Sequence, residues 1–158
     1  MNCLAVEEEL HVKKIRKGTV IDHITAGMAL KVLHILGLDV DAPTSTVSVI
    51  MHVPSRAHGF KDIVKIEDRE LKKRELNRIA LLSPHATINI IREGEVAEKH
   101  HVRPPREVVD LSACENPNCI TNSNEPVSTR FKVIRKEPTV LKCVYCGREQ
   151  DVDIKRLE

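Results

Sequence analysis

Four cysteines near the end of the chain restrict its fold more than any other feature. Cys114 and Cys119 stand in CENPNC, and Cys143 and Cys146 in CVYCG. Two close pairs separated by residues 120–142 suit a tetrahedral four-thiolate zinc site. Each pair forms a tight knuckle, and the intervening strands bring the knuckles together. Gly147, directly after the second pair, suits the positive φ that such a turn needs. Two disulfides in an exported module are the competing reading. The first residues, MNCLAVEEELHVKK, are acidic where an export signal carries positive charge ahead of an apolar core. That points to a reducing, cytoplasmic compartment and to thiolate–metal bonding over disulfides. Cys3 is left as a free thiol.

Arg103-Pro104-Pro105-Arg106 marks the boundary that the cysteines imply, because two successive prolines force extended backbone. The expected domains are residues 1–103 and 104–158. Beyond the boundary, Val127, Thr129, Phe131 and Val133 alternate, as do Leu141 with Cys143 and Val152 with Ile154. This is a small all-β unit, an antiparallel sheet capped by the metal. So short a segment is marginal for an apolar core alone, so zinc supplies stability that burial does not.

The first half alternates strand and helix. Val20 and Ile21, following Val12, Ile15 and a turn at Gly18, predict a strand running to Asp22-His23. Ala26, Ala29, Leu30, Leu33 and Leu36 then recur at helical spacing, with Thr25 as expected N-cap and Gly37 as C-cap. TVSVIMHV reads as a strand ended by Pro54, SRAHGFKD as a loop and DIVKIE as the next strand. A charged helix over residues 69–82 follows, capped by Asp68, with Glu70 and Arg74 as an i,i+4 pair. ATINIIRE and EVAEKHHV are two strands joined at Glu93-Gly94. The class is α+β: a ferredoxin-like antiparallel sheet with two helices, followed by the all-β zinc unit.

Composition excludes more than it assigns. Aromatic residues make up 2% of the chain, with no tryptophan, which leaves few platforms for stacking nucleic-acid bases. Residues 104–158 hold nine Lys/Arg and nine Asp/Glu, so the zinc unit is neutral where a nucleic-acid-binding ribbon is basic. Apolar stretches such as 28–38 are too short to span a bilayer. No nucleophile elbow, zincin helix or phosphate-binding glycine loop is present. A site closed by four cysteines leaves no open coordination position for catalysis. The chain is read as no enzyme. His100 and His101, adjacent on a strand, point to opposite faces and into solvent. Lys132, Lys142 and Arg148 either offset the charge of the thiolate centre or form an ordinary solvated face.

Polar residues stand on first-half strands where core is expected: Asp22 and His23, Lys65, Asn89 and Lys99. If these strands are neighbours, the residues converge on one sheet surface. Lysines for phosphate and Asp22 for a ribose hydroxyl then make a nucleotide site. Pattern alone favours the other reading, exposure on an uncovered sheet face.

Larger motifs tip that balance. RKGTVIDHITAG, MHVPSRAHGFKDIVKIE, SPHATIN and the C-x4-C…C-x2-C pattern resemble, in order, the regulatory chain of aspartate carbamoyltransferase, over residues 11–155. The resemblance implies an allosteric domain binding CTP or ATP, a zinc domain contacting the catalytic chains, and regulatory homodimers joined through their allosteric domains. It implies no catalysis by the chain itself, and a place in the control of pyrimidine synthesis. It also implies that Val12, Ile15 and Asp22 contact base and ribose, and that His23, Asn89 and Lys99 surround the phosphates. Lys65 then reaches base or ribose, and Ile91 and Val96 line the pocket. The sequence departs from a family member at Lys13, Gly94 and His101, which replace an acidic residue, a tyrosine and an arginine; these changes bear on base preference. The alternative is a free-standing zinc ribbon that binds nucleic acid or another protein.

Overall fold

The computed structural model describes residues 14–39 and 44–152. Val12, Lys13, Cys3 and Ile154 lie outside the described residues. The order is β1 (Gly18–Thr25), α1 (Ala29–Ile35), β2 (Val47–Ser55), β3 (Gly59–Glu67), α2 (Lys73–Leu82), β4 (Thr87–Arg92) and β5 (Glu95–His101). A second series follows: β6 (Glu107–Val109), a 3-10 turn at Ile120–Asn122, β7 (Arg130–Lys136), β8 (Thr139–Cys143) and β9 (Glu149–Asp151). The first sheet runs β2-β3-β1-β4-β5 and the second β6-β7-β8-β9, antiparallel throughout. The expected α+β class stands, with the βαββαβ order of a ferredoxin-like unit extended by β5.

Alternation decides which sheet face is covered. Thr19, Ile21, Val64, Ile66, Ile88 and Ile90 are buried against Ala29, Val32 and Ile35 of α1 and Ile79 and Ala80 of α2. The residues between them, Val20, Asp22, Ile63, Lys65 and Asn89, face the side without helices and are only half-buried. Gly18 is needed where β1 meets β3: its φ is +143°, and a Cβ there would sit 2.1 Å from the Ile66 carbonyl oxygen.

Several local expectations change. Thr25 is not the cap of α1. It belongs to β1, and its N–H donates to Ser83 Oγ at 2.9 Å. The helix starts at Ala29 because buried Asp62 accepts from Gly27 N (2.9 Å) and Ala29 N (3.1 Å). Leu30, placed on the inner stripe by spacing, is 60% exposed, and Val32 takes the buried position. Pro54 does not end β2. That strand is the sheet edge, where a missing N–H costs nothing, and Pro54 pairs opposite Phe60. The loop expected before β3 is mostly strand, since β3 begins at Gly59. Helix α2 starts at Lys73, with the Glu75 carboxylate accepting from Lys72 N, and Asp68 instead donates its N–H to the Lys17 carbonyl. Glu70 pairs with Arg92 of β4 at 2.9 Å, whereas Arg74 reaches the Asp110 carbonyl.

Candidate functional site

Two sites emerge, one in each sheet. In the second, β8 delivers Cys143 and the turn into β9 delivers Cys146; the β6–β7 connection supplies Cys114 and Cys119. All four sulfurs lie within 4.8 Å of one another. The Cys114–Cys146 sulfurs are 3.7 Å apart and the Cys119–Cys143 sulfurs 3.8 Å. Tetrahedral bonds of ~2.3 Å separate sulfurs by ~3.8 Å, whereas a disulfide needs ~2.05 Å. The disulfide alternative therefore fails among these four cysteines, all of which are free thiols.

The knuckles are built by short-range hydrogen bonds. Gly147, at φ +73°, donates to the Cys143 carbonyl, and Cys143 N donates to the Arg148 carbonyl. The Arg148 N–H faces the Cys146 sulfur and brings that thiol down to about 6. Cys114 is desolvated and its thiol is pushed up to about 12. Burial opposes ionisation of Cys119 too, but hydrogen bonds from Thr121, whose Oγ1 lies 3.2 Å away, hold its thiol below the ordinary range. A pocket that stabilises some thiolates and gathers the remaining sulfurs around them suits a soft divalent cation. Two residues without any signal in the sequence brace it. Asn122 Nδ2 donates to the Cys114 and Asn116 carbonyls, and buried Gln150 ties Ala113 to Glu115 at 3.0 and 2.9 Å. Lys132, Lys142 and Arg148 are all exposed.

The open face of the first sheet gathers most of the other expected residues. Lys65 pairs with Val20, Val20 with Asn89, and Asn89 with Lys99, so one cross-strand row runs over four strands. At one end of that row, Ile15, Lys65, Ile91 and Val96 line a groove of about 320 Å³ with Lys14, Val20, Gly94 and Glu95. Asp22 and His23 lie towards the other end of β1, at a bulge where His23 has φ +55°. Burial alone would raise the Asp22 carboxyl. The Lys61 ammonium at 2.9 Å and the His23 N–H at 2.6 Å more than offset this and hold it below its ordinary value. His23 faces a separate cleft with His58, Phe60, Lys61, His85 and Glu137. Lys61 carries no periodicity signal; its backbone pairs with Thr25, and only the folded geometry shows that its ammonium partners Asp22. His100 and His101 are exposed on β5.

Residues 10–103 match the family described as aspartate carbamoyltransferase regulatory chain, allosteric domain, and residues 106–155 its metal binding domain. The chain belongs to the aspartate carbamoyltransferase regulatory chain family. A regulatory chain from Methanothrix thermoacetophila is 55% identical over 143 residues, covering 90% of this chain and 92% of the relative. One from Methanocella arvoryzae is 55% identical over 149 residues, covering 94% and 95%. One from Thermoplasma acidophilum is 45% identical over 150 residues, covering 93% and 99%. This regulatory chain is thus a non-catalytic subunit with an allosteric and a metal-binding domain, which associates with catalytic chains. Among the described residues no helix is long and apolar enough to cross a membrane.

Proposed function

We propose that this regulatory chain binds CTP and ATP on the open face of its first sheet and one structural Zn²⁺ at its four cysteines. The observation that carries the reading is the row Lys65–Val20–Asn89–Lys99 beside the apolar groove of Ile15, Ile91 and Val96. It sets a patch for a base next to ammonium and amide donors for ribose and phosphate. Asp22 and His23, two and three residues beyond Val20 along β1, extend the polar track. Val12 and the departures at Lys13, Gly94 and His101 belong to the same site on this reading, and Gly94 leaves the groove open where a larger side chain would fill it.

The zinc assignment is supported by sulfur spacings that match tetrahedral Zn–S geometry, and by a donor set of thiolates alone. Zinc there holds the knuckles together; it activates nothing. Exposed Ile120, Val144 and Tyr145 surround the knuckles and suit the contact with catalytic chains. Exposed Val49 and Met51 on the edge strand β2 are consistent with a homodimer formed through the allosteric domains. The division between the two functions falls at residues 103 and 104, and the compartment is the cytoplasm.

Isothermal titration of the zinc-loaded chain with CTP and ATP tests the reading. Both nucleotides bind, and Lys99→Ala weakens binding about 10- to 100-fold, the cost of one charge-assisted phosphate contact. Absence of binding at millimolar nucleotide sinks the claim. Salt-dependent capture of RNA or DNA instead would favour the zinc-ribbon alternative.

A further inference from the structure

The cleft beside the Asp22–His23 bulge joins the two domains. His85 lies in the turn between α2 and β4, and its Nε2 is 2.7 Å from the Glu137 carboxylate in the β7–β8 turn. The other side of the cleft comes from the β2–β3 hairpin, whose His58 ring stacks on His85 with centroids 4.7 Å apart and planes at 27°. That hairpin leads, three residues after His58, to Lys61, the partner of Asp22. His23 closes the circuit, with Nδ1 3.4 Å from Oγ1 of Thr87, two residues beyond His85.

We propose that His85 is a coupling residue: stacked on His58 and paired with Glu137, it carries effector occupancy from the bulge to the zinc domain. This rests on the reading that nucleotides bind the first sheet. The physical case is one of charge and contact. An anion near His23 and Lys61 competes with Asp22 for the Lys61 ammonium, and so acts on β3, into which the turn holding His58 leads. A shift of His58 moves the ring stacked on it, and with it the imidazole that faces Glu137. Another polar bridge between the domains among the described residues, Arg74 Nη2 to the Asp110 carbonyl, ends on a neutral oxygen, and neither residue lines the cleft.

The test uses the full assembly with its catalytic chains. Effector affinity is read by calorimetry, and the effector-induced change in half-saturating aspartate by kinetics. His85→Ala and Glu137→Ala each leave nucleotide Kd within about twofold and cut the effector-induced change by about 3- to 10-fold, and the double variant loses no more than either single. His85→Gln keeps a hydrogen-bond donor for Glu137 and retains more of the response than His85→Ala. A wild type that binds and responds, with His85→Ala responding equally or with additive losses, overturns the coupling role. A wild type that binds no nucleotide overturns the underlying reading instead, so the two failures are separable.

Discussion

The two domains of this chain hold their functional residues in opposite ways. The metal-binding domain gathers its functional residues at one point, four sulfurs within 4.8 Å of one another beside a few buried apolar side chains such as Val108, Phe131 and Leu141. The allosteric domain spreads its polar residues over a sheet whose other face rests on a helix-covered apolar core. A point site either exists or does not, because its ligands are also its fold. A distributed face keeps its backbone when one side chain is lost, so damage there is graded. On the proposed reading that difference suits a regulatory chain, with an adaptable surface for effectors and a rigid clasp for the catalytic partner.

The largest expected effect is therefore metal removal. Cys143→Ser or a strong chelator unfolds the domain around the knuckles, since structural zinc contributes on the order of 10 kcal/mol to folding in small domains. The chain carries no tryptophan and one tyrosine, Tyr145, between Cys143 and Cys146. Tyr145 fluorescence thus reports this domain alone. It changes on chelation while far-UV circular dichroism keeps the contribution of the first sheet, nucleotide still binds, and association with catalytic chains is abolished. Catalytic-chain association that survives demetallation would show that the contrast between point and distributed sites is misplaced.

Next in size is the best single polar node of the allosteric domain. Asp62, fully buried, accepts from Gly27 N, Ala29 N and His52 N at 2.9–3.1 Å, fixing the start of α1 and the β2 bulge at once. Asp62→Ala leaves three N–H groups, that of buried Ala29 among them, without their acceptor and destabilises the chain by about 3–5 kcal/mol. Chemical denaturation measures this, followed by circular dichroism in parallel with Tyr145 fluorescence. The first transition moves to lower denaturant and zinc stays bound. A loss as complete as that from Cys143→Ser would erase the distinction between the domains.

How legible each domain was follows from the same contrast. Cysteine spacing is local and unambiguous, so the metal site was readable from four letters, although its braces Asn122 and Gln150 were not, because carbonyl partners leave no sequence pattern. Strand alternation placed Lys65 and Asn89 on strands, but their alignment into one row depends on register across four strands, which alternation does not specify. The helices misled at their starts for a physical reason. Thr25 and Asp68 look like caps, yet Thr25 is drawn into β1 by pairing with Lys61, and the orphan N–H groups of α1 go to Asp62, far along the chain. Pro54 misled because an edge position removes the penalty that makes proline a strand breaker.

The smallest effect tests how finely the distributed face is graded. Asp22 is held in its ionised form by Lys61 and the His23 N–H, so its carboxyl titrates below the ordinary value of about 3.9 in the folded chain. A depressed folded value means that Asp22 binds protons more readily when unfolded. Its contribution is fully present above the unfolded value and disappears as pH falls through the lower, folded one. The carboxylate is a quarter exposed, which screens the pair and keeps the contribution under ~1 kcal/mol. Asp22→Asn accordingly lowers the denaturation midpoint slightly at pH 7, and the gap to wild type closes between about pH 5 and 3. Acid release of the metal affects both proteins alike and cancels in the difference. A gap that widened on acidification would mean that Lys61 does not partner Asp22, and the polar track along β1 would then break at the bulge.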